Sequence, residues 1–132
     1  MAGYDRALYQ SLLHGVPMFS TCSVEQLDHL AQLGEVATFV DGQSIVREGE
    51  QGNEFYVLTS GHLRVDRGGH EVARLKTGDY FGELALLDPA PRNATVTAVD
   101  EPAALIMLTR DAFRSALDEL PGMRDARDLA GR

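Results

Sequence analysis

Between positions 35 and 109, short runs rich in Val, Ile, Thr, Phe and Tyr follow one another, and most gaps between them hold a glycine. This punctuation constrains the chain more than any other feature. β-Branched and aromatic side chains fit a pleated strand, and glycine lets the chain turn without steric cost. The runs fall at 35–40, 44–47, 54–59, 62–67, 71–75, 94–99 and 103–109, with Gly42, Gly49, Gly52, Gly61, Gly68, Gly69 and Gly78 between them. His62-Leu63-Arg64-Val65-Asp66 alternates polar and apolar strictly, as an antiparallel strand with one wet face does. Gly68-Gly69 predicts a two-residue hairpin turn. The spacing predicts an eight-stranded jelly-roll β-sandwich, a β-roll, and argues against a parallel sheet.

The flanks read as helices. Tyr4, Ala7, Leu8, Ser11 and Leu12 share one helical face over 4–13, and Gly15 and Pro17 end it. Ser23-Val24-Glu25-Gln26 has the capping-box pattern, Val24, Leu27, Leu30 and Ala31 form a stripe, and Gly34 stands where a C-cap glycine would. Beyond the strands, Thr109 and Asp111 suit a helix start, Phe113, Ala116, Leu117 and Leu120 repeat at helical spacing, and Pro121-Gly122 stops them. The 132 residues thus predict one mainly β domain with flanking helices: N-terminal helices at 1–34, the roll at 35–109, and a C-terminal helical segment at 110–132.

Charge narrows the partners. Twenty Asp and Glu against twelve Lys and Arg give a formal charge of −8, with no basic cluster. Nucleic acid and anionic membrane are bound through many Lys and Arg contacts to phosphates, so neither is an expected partner. The longest purely apolar run, 103–108, is far short of the about 20 residues that span a bilayer. With Cys22 as the only cysteine, no internal disulfide forms, and a cytoplasmic location is the expectation.

The stretch 81–95 breaks the strand pattern. Gly82 is followed by Glu83-Leu84-Ala85-Leu86-Leu87, helix formers without a β-branched residue, then by a proline-rich turn and Arg92. A single helical turn set into a β-protein exposes unpaired N–H groups that attract an anion. Arg92 can fold back over that turn, and its planar fork grips two oxygens of a phosphate at once. Glu83, acceptor-only, suits a sugar hydroxyl beside that phosphate. Alone, Glu83 would merely complement a helix dipole and Arg92 would be a solvated loop residue; their spacing makes the binding reading.

The same stretch resembles the phosphate-binding cassette of cyclic-nucleotide-binding domains, the family that includes the kinase A regulatory subunit and the bacterial catabolite activator protein. Gly-Glu-Leu-Ala at 82–85 and Pro-Arg-x-Ala-Thr at 91–95 carry the resemblance. Val16-Pro17-Met18-Phe19-Ser20, Phe55-Tyr56-Val57 within 49–58, Gly61 and Gly78-Asp79-Tyr80-Phe81 extend it in order over most of the chain. The resemblance implies a regulatory module whose ligand is cAMP, with cGMP as the alternative. It implies Glu83 on the ribose 2′-hydroxyl, Arg92 on the cyclic phosphate, backbone N–H groups of Ala85 and Asn93 in the phosphate cradle, and Gly82 giving the ribose room. Leu84 and Ala94 belong to the same motif, and Val72 and Leu75 fall where the family lines the base. Binding would reposition the helix from 110 to 120 and so signal to an effector domain or protein that the sequence leaves unnamed.

Two positions depart from the family's commonest pattern. After the arginine, cAMP binders often carry Ala or Ser and cGMP binders Thr; this chain carries Asn93. Asn53 stands where an acid is frequent and orients the arginine. Rival readings are a non-responsive interaction domain of the same fold and a metal-dependent jelly-roll enzyme. The latter needs converging ligands, yet no two of His14, His29, His62 and His70 sit at ligand spacing. No catalytic constellation or phosphate-binding P-loop is present, so the expectation is no enzyme, no metal and no cofactor. A helix start after Cys22 would lower its pKa somewhat, but no partner for a nucleophile lies near it and an inert thiol is expected. Met107 and its neighbours read as core.

Overall fold

Two long strands carry the molecule: β4 (Glu54–Arg67) and β8 (Thr95–Thr109), paired antiparallel from Glu54 opposite Thr109 to Asp66 opposite Thr95. A computed structural model describes residues 6–88 and 90–119. Around the long strands lie β1 (Glu35–Phe39), β2 (Ser44–Val46), β3 (Gln51–Gly52), β5 (His70–Leu75), β6 (Tyr80–Phe81) and β7 (Ala90–Pro91). The main sheet runs β1-β8-β4-β5, with β2 also on β8 and β6 also on β4, while β3 and β7 form a separate ribbon. Every pairing among the described residues is antiparallel. The protein is therefore the predicted β-sandwich with flanking helices, but the eight strands among the described residues divide differently from the sequence runs.

The runs 54–59 and 62–67 are one strand, and so are 94–99 and 103–109. The gaps between them do not reverse the chain, because both strands bend together where the register shifts between Leu58 and His62. Gly61, at φ 95°, lies against the backbone of Pro102 and Ala103, where a Cβ would collide. Opposite, Asp100 takes φ 75° and donates its N–H to the Asp41 carboxylate at 2.9 Å. Such paired bulges fold a sheet onto itself. The Gly68-Gly69 turn is as expected, with both residues at positive φ between the paired Arg67 and His70.

Residues 55–58 are buried on both faces of β4, so alternate side chains enter two different cores. Phe55 and Val57 join Phe19, Leu13, Leu30 and Phe113 in the helix-side core, whereas Tyr56 and Leu58 join Leu63, Val96 and Leu105 inside the roll. The helices are α1 (Arg6–His14), α2 (Val24–Leu33) and α3 (Arg110–Glu119), with a 3-10 turn at Pro17–Phe19. Ser23 and Gln26 form the predicted capping box. Val24, placed in the apolar stripe by its spacing, is instead 69% exposed, since it is the first residue of α2 and precedes the packed turns. Gly34 is extended (φ −71°) rather than left-handed; a Cβ there would meet Ile106 Cγ2 at 2.5 Å, so close packing on β8 accounts for it. Thr109 accepts the Ala112 N–H at 3.1 Å and caps α3. Tyr4, Leu120, the Pro121-Gly122 stop and segment 123–132 lie outside the described residues.

Candidate ligand-binding site

Gly82 opens the site at φ 83°, a left-handed conformation that glycine adopts freely. A 3-10 helix follows at Glu83–Leu86. Its i to i+3 bonding has a consequence for the expected cradle. The Ala85 N–H donates to the Gly82 carbonyl at 3.0 Å, so it is already engaged, and the N–H groups without a partner inside the turn are those of Glu83 and Leu84. Glu83 is half-buried, Ala85 is buried and Leu84 is 59% exposed.

Arg92 is positioned by the short ribbon. Gln51 pairs with Pro91 and Gly52 with Ala90, and the ladder continues as Gly49 N–H to Arg92 O and Arg92 N–H to Glu50 O, both 2.8 Å. The side chain, only 10% exposed, lies in a niche between Gly52 and Gly82, where a Cβ on either glycine would strike the guanidinium. Its Nη2 donates to the Glu54 carbonyl at 2.8 Å and stands 3.5 Å from the Glu54 carboxylate. The guanidinium carbon lies 6.0 Å from the centre of the Tyr56 ring, which in turn stacks on Phe81 at 5.0 Å. Burial, then the Glu54 charge, pushes the Tyr56 hydroxyl above its ordinary pKa, against the pull of Arg92. Tyr80 is pushed up likewise, by burial first and then by Glu83 and Asp79. The acid expected at Asn53 is thus supplied one residue later, by Glu54. Asn53 is exposed, and its carbonyl accepts the Arg110 N–H at 3.0 Å.

Two hollows meet at Arg92. The larger, about 260 Å³, is lined by Gly82, Glu83, Leu84, Ala85, Arg92 and Asn93, among others. The smaller, about 160 Å³, shares Gly82, Arg92 and Asn93, and adds the apolar walls Val46, Val65, Leu75, Phe81, Ala94 and Val96 with Tyr80 and Arg67 at its margin. The larger is bounded by Glu83, Asp88 and Arg92; the smaller is walled mainly by apolar side chains. Eight of the nine residues expected from the sequence line one hollow or the other. Val72 lines neither and is 52% exposed. Residues three apart on a strand face opposite sides, so Val72 and Leu75 share a face only if the strand slips, and the bulge in the β4–β5 pairing lies between Glu71 and Ala73. Gly52, Glu54 and Arg67 were not singled out as site residues, and Tyr56 and Phe81 entered only as landmarks of the resemblance. Gly52 and Glu54 carry no local signal, because a two-residue ribbon brings them to Arg92.

The other candidate groups are elsewhere. His14, His62 and His70 are exposed and His29 is half-buried. Among the described residues no three His, Cys, Asp or Glu converge on a metal position. Burial pushes the Cys22 thiol up to about 11, the reverse of a helix-start activation. No helix among the described residues is long and apolar enough to cross a membrane.

The β-roll thus holds a one-turn helix beside the Arg92 guanidinium, and Glu83 lines the same hollow. The model of the family described as "Cyclic nucleotide-binding domain" matches residues 36–119, and the chain belongs to that family. It is 36% identical over 136 residues to a cAMP-dependent protein kinase regulatory subunit of Mycosarcoma maydis, covering 96% of this chain and 26% of that protein. It is 37% identical over 111 residues to a cGMP-dependent protein kinase of Toxoplasma gondii, covering 84% of this chain and 11% of that one. The regulatory domain of Toxoplasma gondii PKA, solved in co-crystal with cAMP, superposes with a TM-score of 0.74 at 30% identity, covering 96% of this chain and 49% of that one. The chain thus spans about a quarter or less of the length of these two curated relatives.

Proposed function

We propose that the chain binds cAMP as a regulatory module and passes the binding on through α3 to an effector domain or protein. The observation that carries this reading is the seating of Arg92, which Glu54 holds and which lines the larger hollow together with Glu83. Arg92 Nη2 is committed to Glu54, while Nε and Nη1, which lie against Gly52 and Gly82, make no hydrogen bond among the described residues and are the donors assigned to the phosphate. Glu83 accepts the ribose 2′-hydroxyl proton, and the N–H groups of Glu83, Leu84 and Asn93 are the backbone donors assigned to the phosphate, the Ala85 N–H being bonded to the Gly82 carbonyl. The base lies in the apolar slot of Leu75, Ala94, Val96 and Phe81. The family, the kinase relatives and the cAMP-bound neighbour support the ligand class. The module acts by binding rather than by catalysis, needs no metal or cofactor, and works in the cytoplasm.

The output path is short. Arg110 begins α3, its Nη2 donates to the Leu87 carbonyl at 3.3 Å, and its N–H bonds Asn53. The end of the cassette turn, the start of β4 and the start of α3 therefore meet at one residue. Ligand that draws the turn inward biases α3 only to the extent that it binds the two arrangements with different affinity. Calorimetric titration of cAMP and cGMP into the purified chain tests the reading. The expected result is one site per chain, with cGMP weaker by ~1–2 kcal/mol, about one misaligned hydrogen bond. Absence of binding by both nucleotides would leave a structural domain of the same fold.

A further inference from the structure

The smaller hollow has a guanidinium at its margin that the phosphate and ribose do not use. Arg67 ends β4 beside the Gly68-Gly69 turn, and its Nε donates to the Asn93 carbonyl at 3.0 Å. That bond fixes the plane of an exposed side chain against the cassette arm. Among the described residues the two terminal nitrogens have no hydrogen-bond partner. Arg92, the other cation lining this slot, is already turned to Glu54. The slot itself offers apolar walls at Val46, Val65, Leu75 and Val96, suited to a flat ring but unable to distinguish one ring's edge from another's. Arg67 supplies what the walls lack.

We propose that Arg67 is a base-reading residue, whose terminal nitrogens take N7 and O6 of a 6-oxopurine. The inference rests on the cyclic-nucleotide reading above. A guanidinium fork matches two adjacent acceptors, and N7 with O6 is such a pair. Adenine presents N7 beside an amino donor, so it satisfies one prong and opposes the other. Arg67 therefore raises affinity for 6-oxopurines and narrows the gap between cAMP and cGMP.

Cyclic IMP isolates the effect, because it differs from cAMP at position 6 and lacks the 2-amino group that Asn93 could meet. The experiment measures cAMP and cIMP affinity of the wild-type chain, Arg67→Ala and Arg67→Lys. Arg67 is exposed and contributes to neither core, so both variants keep the fold. Arg67→Ala is expected to weaken cIMP by ~10-fold and cAMP by less than ~3-fold, since a bidentate pair discriminates between bases on that scale. Arg67→Lys keeps the charge but not the fork, and should recover only part of the cIMP loss. Equal losses for both nucleotides would reduce Arg67 to a prop for Asn93, and no loss for either would place it away from the base; each overturns the proposal while the cyclic-nucleotide reading stands. Failure of the wild-type chain to bind cAMP and cIMP would bring down the reading itself.

Discussion

Arg92 reaches its position because two glycines leave it room. Gly52→Ala puts a methyl where the guanidinium lies and should weaken nucleotide binding by at least ~10-fold, the scale of one misplaced charge-assisted hydrogen bond. Gly42→Ala is the control: at φ 88° with open space around it, it should cost ~1 kcal/mol of stability and leave affinity unchanged. Equal affinity in the two variants would contradict the niche. Cys22 gives a second residue-level expectation. Its thiol titrates at about 11 in the fold against 9.0 for an ordinary thiol. The unfolded chain therefore ionises first, so this contribution to stability is intact below pH 9, falls between 9 and 11, and then levels off. Urea midpoints at about pH 8 and about pH 10.5 should drop further for the wild-type chain than for Cys22→Ala, and equal drops would refute the assignment. Glu83 and Arg92 were legible because one local motif holds both. Glu54 was not, because its relation to Arg92 depends on the register of β3 with β7.

At the level of elements, patterning identified strands by type and misjudged where they end. The run 62–66 and the Gly68-Gly69 hairpin appear as read, yet Gly61 and Asp100 mark bends inside β4 and β8, since a glycine at positive φ serves a bulge as well as a turn. The two-residue strands β3, β6 and β7 are too short to show a period, although β3 and β7 fix the arginine. α3 was legible from Phe113 and Ala116, both fully buried. Its link to the cassette was not, because Arg110 meets Leu87 and Asn53 only in the folded chain. Arg110→Met is expected to leave cAMP affinity within ~3-fold while shrinking the ligand-induced change in amide exchange along α3. An unaltered exchange change would mean that the signal leaves by another route.

For the molecule as a whole, a chain of net charge −8 proposed to bind an anion requires local structure to override the global field. Burial of Arg92 does this, since a guanidinium 10% exposed is screened far less than one in water. Ligand that binds only the folded chain should also stabilise it, by ~2.7 kcal/mol at 100 times the dissociation constant. The central claim is that Arg92 holds the cyclic phosphate, and calorimetric titration of cAMP into Arg92→Ala beside the wild-type chain tests it most directly. Truncating one partner of a desolvated charge pair costs ~2–5 kcal/mol, so the variant is expected to bind roughly 30- to 5,000-fold more weakly. A folded Arg92→Ala chain that binds cAMP as tightly as the wild type would contradict it.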